Sequence, residues 1–345
     1  MTNLAPPPLR QTSLARLAWA AALFALVVIV FGAFVRLSNA GLSCPDWPTC
    51  YGQITWPTHE PEIASANAAF PARPVESDKA WREQVHRILV GGLGLFTFAL
   101  AGWAVWRRRQ LRGLTWVPLA AAVLIFFQAA LGAWTVSMLL LPAVVTAHLL
   151  GGIAMFALLA YTALRLTVPS ARLDARFADA QRAKIRRLTI IGIGLVAVQI
   201  ALGGWTSTNY AALACGLDFP TCQGLWWPNA DFREAFVLWR GIGVNYEGGV
   251  LDGAARTAIQ LTHRIGAIVV FGHLAFALIP RTVRYAQTRP FAIAIGIALL
   301  VQISLGVANV QLALLLPVAT AHNGVAVLLL FTLLALLVRV RPGSR

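Results

Sequence analysis

Eight stretches of this 345-residue chain stay apolar for about 20 residues, the length needed to cross the hydrocarbon core of a bilayer. They fall near 14–37, 85–107, 114–138, 142–166, 186–208, 257–281, 290–314 and 317–339. Few folds are open to such a chain. In lipid the backbone must satisfy its own N–H and C=O groups, and helices are one of the two ways to do so. The expected class is an all-α integral membrane protein with eight transmembrane helices. Composition agrees, with 58% of residues hydrophobic, 12% charged and a mean hydropathy of +0.70.

The net charge of +15 would suggest a nucleic-acid partner in a soluble protein, but its distribution excludes one. The basic residues occupy alternate connections: Arg10 and Arg16; Arg107, Arg108, Arg109 and Arg112; Arg172, Arg176, Arg182, Lys184, Arg186 and Arg187; Arg281, Arg284 and Arg289; Arg339, Arg341 and Arg345. The other connections are short or carry acids, among them Asp46, Glu60, Glu76, Asp231 and Glu247. The positive-inside bias then makes both termini cytoplasmic and turns loops 38–84 and 209–256 outward. That is a multi-pass protein of the cell inner membrane with the lipid bilayer as its surroundings. The first apolar run is too long for a cleaved signal and has no small-residue cleavage pattern before Arg36, so it reads as a retained span.

The chain repeats itself. Gly32 and Cys44 correspond to Gly203 and Cys215. The segment Gln128-Ala129-Ala130-Leu131-Gly132 matches Gln302-Ile303-Ser304-Leu305-Gly306, and its signature returns at Gln199-Ile200-Ala201-Leu202-Gly203. Leu140-Leu141-Pro142 with His148 matches Leu315-Leu316-Pro317 with His322. The expected architecture is two tandem, pseudo-symmetric four-helix bundles, 14–166 and 186–339, in the same orientation. A basic linker, 167–185, joins them, and tails 1–13 and 340–345 flank them. The linker and the first tail are expected to be mobile and carry no assigned chemistry.

Four of the six histidines follow the repeat: His86 and His148 in the first half, His263 and His322 in the second. In each half one lies at the outer end of the second span and one just inside the outer end of the fourth. Facing helices can present such a pair to opposite sides of a flat metal macrocycle, the ligation that haem iron accepts. Zinc needs three or four ligands, and no cysteine shares these spans. A proton relay would not require two imidazoles per half. His273 reads as a packing residue and His59 as a surface one. Arg87 and Arg264 directly follow the first histidine of each pair. Their planar forks suit haem propionates, with snorkelling to lipid headgroups as the alternative.

One position breaks the symmetry. Glu83 lies three residues before His86 and shares its helical face, while Gln260 stands in that place before His263. An ionisable group at the mouth of a span is a functional candidate, and only the first copy can exchange a proton at neutral pH. The alternative is an interfacial charge paired with Arg82 or Arg87.

Glu83-x-x-His86-Arg87 opening the second span, the four repeated histidines and the loop Cys44-Pro45-Asp46-Trp47-Pro48-Thr49-Cys50 together resemble the haem A synthase family over about 14–339. The resemblance implies an oxidoreductase that converts the C8 methyl group of haem O to a formyl group with water-derived oxygen, for cytochrome oxidase. It implies haem O as substrate between His86 and His148, haem b as cofactor between His263 and His322, and Glu83 as the catalytic carboxylate. Haem O synthase, the farnesyl transferase that makes the substrate, is a candidate partner. The electron acceptor is unidentified. A di-haem b-type electron-transfer cytochrome or a haem carrier would also use the four histidines, but leaves the Glu83–Gln260 difference without a purpose.

All four cysteines lie in the outward loops, so Cys44–Cys50 and Cys215–Cys222 read as disulfides on the oxidising side. Each is either a lid over a haem edge or a local staple. A redox role for the first pair is the further alternative. Trp47, Tyr51, Trp56, Trp226, Trp227 and Trp239 in the same loops read as interfacial belt residues.

Overall fold

A computed structural model describes residues 9–111, 113–172 and 177–342. Arg112, Arg176 and Arg345, counted above among the basic connections, lie outside the described residues, as do tail residues 1–8 and the side chain of Arg10. Among the described residues the regular structure is helical: α1 (Leu9–Leu37), α2 (Glu60–Ala69), α3 (Ser77–Trp106), α4 (Arg108–Leu111), α5 (Trp116–Ser137) and α6 (Pro142–Thr167). There follow α7 (Asp179–Thr208), α8 (Phe232–Ala235), α9 (Gly253–Gly272), α10 (Ile279–Thr282), α11 (Arg289–Gln311) and α12 (Leu316–Arg339). A π-helical segment, His273–Leu278, fuses α9 to α10. Among the described residues eight helical units are long and apolar enough to cross a membrane: α1, α3, α5, α6, α7, the fused Gly253–Thr282 unit, α11 and α12.

Helix α3 starts at Ser77 rather than near 85, and α7 at Asp179 rather than near 186. Their first turns carry Asp78, Lys79 and Arg82, and Asp179, Arg182 and Lys184, so hydropathy registers only the apolar remainder. The π segment lies just before Pro280, whose ring cannot donate to the helix ladder.

Four helices end alike. After α1, α5, α7 and α11 the chain takes a left-handed turn at Asn39, Leu139, Tyr210 and Ala313, all with φ near +50°. Each closes with an amide bonded five residues back: Ala40 to Val35 (3.0 Å), Leu140 to Thr135 (2.9 Å), Ala211 to Thr206 (2.9 Å) and Leu314 to Asn309 (2.8 Å). These turns satisfy the terminal carbonyls and reverse the chain tightly without a glycine. They also fix the register of the repeat. Leu141 and Leu315 are the equivalent residues before α6 and α12, so Pro142 and Pro317 differ by one position, which corrects the proline alignment.

Helix α1 packs on α3 and α6, and α5 lies against both of those. Helix α7 packs on α9 and α12, and α11 lies against α12 and the π-α10 segment. Between the two groups α6 and α12 touch each other, α1 touches α12, and α6 touches α7. Ala18, Ala21, Ala22 and Ala25 on α1 are buried in the core the helices share, and small residues let helix backbones approach without bulky side chains between them.

Outside the spans, Tyr246 of the second long loop is 1% exposed and docks on Leu42, Leu140, Leu141 and Val144 of the first half. At the opposite end, Arg339 donates to the carbonyl of Pro169 (3.0 Å) and Arg341 to that of Val168 (2.8 Å). Phe177 is buried against Tyr285, with ring centroids 4.9 Å apart. The described part of the linker is thus bound to the bundle, contrary to the expectation of a mobile segment.

Candidate functional site

The four repeated imidazoles are built into one local design. Each lies against a glycine of the neighbouring helix: His86 on Gly32, His148 on Gly132, His263 on Gly203 and His322 on Gly306. A Cβ at those glycines would stand 2.8, 3.4, 3.2 and 3.2 Å from the imidazole Cε1. The missing side chain is therefore the space the ring occupies. His148 lies within electrostatic reach of His86, and His322 of His263. The Nδ1 atoms of His86, His148 and His322 are buried with no hydrogen-bond partner. Among the described residues no third His, Cys, Asp or Glu joins either pair. Two buried imidazoles and no third ligand are a donor set that would hold an iron porphyrin; a tetrahedral zinc site they do not complete.

Glu83 is 5% exposed and fully engaged. Its Oε2 accepts from the Cys44 amide (2.9 Å) and the Ser43 hydroxyl (3.1 Å), while Oε1 meets the Arg87 guanidinium at 2.5 Å. Gln260 is equally buried, but its Oε1 has no partner. The difference read in the sequence is thus a difference in geometry: one half grips a carboxylate one helical turn from an imidazole, and the other leaves an idle amide there.

The two arginines do something the sequence did not announce. Arg87 Nη1 donates to the carbonyls of Asp46 and Thr49 (both 2.6 Å), and Nη2 to that of Cys44 (3.3 Å). Arg264 repeats the pattern, Nη2 donating to Asp218 (2.8 Å) and Nη1 to Thr221 (2.8 Å) and Pro220 (3.3 Å). Each guanidinium clamps the inside of a disulfide loop, so the terminal nitrogens expected to meet propionates already hold backbone carbonyls. Both disulfides are formed, Cys44–Cys50 and Cys215–Cys222. In the first loop Asp46 accepts from Thr49 Oγ1 (2.5 Å), the Tyr51 amide (2.6 Å) and the Gly52 amide (2.8 Å). Burial pushes the Asp46 carboxyl up, but these bonds outweigh it and hold the group below the usual carboxylate range. The loop is therefore rigid where it delivers the Cys44 amide to Glu83.

Other residues fall as follows. His273 bonds the Leu188 carbonyl at 2.9 Å, which fits a packing role. Trp226, Trp227 and Trp239 are exposed, whereas Tyr51 is buried and bonds the carbonyls of Arg73 and Pro74. Sequence reasoning missed Ser43, the Cys44 amide and the glutamines Gln199 and Gln302. Gln199 Nε2 contacts His263 at both Nδ1 (3.1 Å) and O (2.9 Å), and Gln302 Nε2 contacts His322 Nε2 at 3.2 Å. The repeated Gln-x-x-x-Gly spacing was the available signal, since residues four apart share a helical face.

Comparison with known proteins gives a consistent picture. The COX15-CtaA family model, described as cytochrome oxidase assembly protein, matches residues 15–334. A haem A synthase of Shewanella oneidensis is 42% identical, the match covering 91% of this chain and 92% of the relative. One from Paracoccus denitrificans is 30% identical over 95% of this chain and 87% of its own length. Another, from Rhizorhabdus wittichii, is 29% identical over 96% and 94%.

Proposed function

Since the chain belongs to the haem A synthase family, we propose that this multi-pass membrane protein oxidises the C8 methyl group of haem O to the formyl group of haem A, with water as the oxygen source. In this reading residues 14–166 form the reacting half, with His86 and His148 holding the substrate iron. Residues 186–339 form an electron-relaying half. There His263 and His322 would hold a haem b, which supplies one-electron redox capacity when bound. In the same reading both termini lie on the cytoplasmic side of the inner membrane and loops 38–84 and 209–256 outside, an orientation that the basic connections support.

Buried Glu83 is the observation that carries the proposal. Converting a methyl to a formyl group with water releases four protons and four electrons; the electrons would leave to an external acceptor through the second half, and Glu83 would take up the proton that the added water loses, as general base. The Cys44 amide, the Ser43 hydroxyl and Arg87 fix its carboxylate, so no reorganisation is needed when the proton arrives. Gln260 cannot accept a proton, which suits a half that only passes electrons.

The test is Glu83→Gln, produced in cells that make haem O. The variant is expected to retain its haem content and yield no formyl haem. Normal formyl haem from that variant removes Glu83 from the mechanism.

A further inference from the structure

A groove of about 590 Å³ lies between the start of α7 and the end of α12, at the end of the molecule away from the disulfide loops. Arg182, Arg186 and Arg187 line it together with Ile190 and Ile191 of the same helix, and Val340 and Pro342 close it from the chain beyond α12. Asp179 also faces the groove, but it is already taken by Arg182 in an ion pair. Arg186 and Arg187 are exposed and have no hydrogen-bond or ion-pair partner among the described residues. Two guanidiniums at the groove are therefore unopposed.

The positive-inside bias accounts for cations gathering at this end, but not for this arrangement. Other arginines here are bound to the protein itself. Arg165 donates to the Tyr161 hydroxyl (2.7 Å), Arg281 to the Ala277 carbonyl (2.7 Å), and Arg339 and Arg341 to the carbonyls of Pro169 and Val168. Arg186 and Arg187 instead stand at the top of an apolar stripe. Arg187, Ile191, Gly194 and Val198 are spaced four, three and four residues apart and so share one face of α7. Ile191, Gly194 and Val198 are exposed, and a Cβ on Gly194 would meet no atom within 4 Å. The stripe runs about 16 Å along the helix, roughly the depth of one leaflet of a hydrocarbon core about 30 Å thick.

We propose that this groove is a binding site for one anionic phospholipid, its phosphate on Arg186 and Arg187 and an acyl chain along the stripe from Ile191 to Val198. The planar fork of a guanidinium matches phosphate oxygens, and basic pockets between membrane helices recognise acidic headgroups. A soluble phosphate would use the cations alone, and an uncharged lipid the stripe alone. An anionic phospholipid uses both, and it touches α7 and the chain beyond α12 together.

The test titrates full-length purified protein, in an uncharged detergent, with dioleoylphosphatidylglycerol or dioleoylphosphatidylcholine, and counts bound lipid by native mass spectrometry. Wild type is expected to retain one phosphatidylglycerol at concentrations where phosphatidylcholine is not held. Arg186→Gln/Arg187→Gln is expected to weaken that binding about 30-fold, at about fivefold for each arginine. Arg108→Gln/Arg109→Gln removes two exposed arginines of α4 that do not line the groove, and is expected to leave the affinity unchanged. Equal retention of the two lipids overturns the proposal, as do equal losses from the two double variants, which would reduce the effect to general surface charge. Glycerol 1-phosphate that displaces phosphatidylglycerol at matching concentration overturns it too, since the site would then read phosphate without the acyl chain.

Discussion

Arg87 holds two things at once, and its repeat mate Arg264 holds one of them, so the pair forms an internal control. Arg87→Ala removes three bonds to loop carbonyls and also strips the partner from Glu83, whose side chain is 7% exposed. A buried carboxylate left without its counter-charge costs about 3–5 kcal/mol. Arg264→Ala loses bonds to Asp218, Thr221 and Pro220 of the second loop, but strands no charge, because Gln260 is neutral. Its expected cost is about 1–3 kcal/mol, the range for losing bonds made by a charged donor. The discriminating variant is Arg87→Ala combined with Glu83→Gln. Neutralising the stranded carboxylate is expected to return about half of the lost stability, although a second residue has been changed. The assay is thermal unfolding in one detergent, with amide hydrogen exchange at 44–52 and 218–224 reporting the two loops separately. If the double variant is no more stable than Arg87→Ala, the ion pair is not what holds this site, and equal losses from Arg87→Ala and Arg264→Ala would say the same.

Two further consequences concern the cradle and the loop. Gly32→Ala drives a methyl group to 2.8 Å from the His86 ring and is expected to cost about 1–3 kcal/mol of overpacking, lowering first-half haem content in the absorption spectrum. Gly132→Ala, with 3.4 Å available, is expected to retain that haem; equal loss from both would remove the cradle argument. The Asp46 carboxyl sits below its unfolded value, so the stability it gives the first loop is complete above about pH 4 and drains away as pH falls through the lowered value. Exchange at the Tyr51 and Gly52 amides should therefore accelerate in strong acid; a loop that loosens between neutral pH and pH 5 would owe its order to another group.

Much of the fold was legible because the bilayer imposes one-dimensional rules. Span length and apolarity located the eight membrane helices. Those rules act only on the apolar part of a helix, so the polar first turns of α3 and α7 and all of α2 escaped them. The repeat located the histidines, since a duplicated residue at a fixed offset needs no contacts to be seen. The partners of those residues were not legible in the same way. Arg87 follows His86 in sequence, yet its guanidinium reaches back some forty residues to the loop at Cys44, Asp46 and Thr49. Ser43 reaches Glu83 across a similar separation. Gly32 gave a repeat signal without revealing that its absent Cβ makes room for a ring. Periodicity says which face a residue occupies; the tertiary fold decides what meets it there.

The most direct trial of the account compares the haem spectra of two variants purified from the same membranes: His263→Ala/His322→Ala, and His86→Ala/His148→Ala. The account predicts that the first loses the low-spin b-type spectrum and still takes up haem O, while the second keeps that spectrum and makes no formyl haem. Formyl haem produced by the second variant, or an unaltered b-type spectrum in the first, would contradict it.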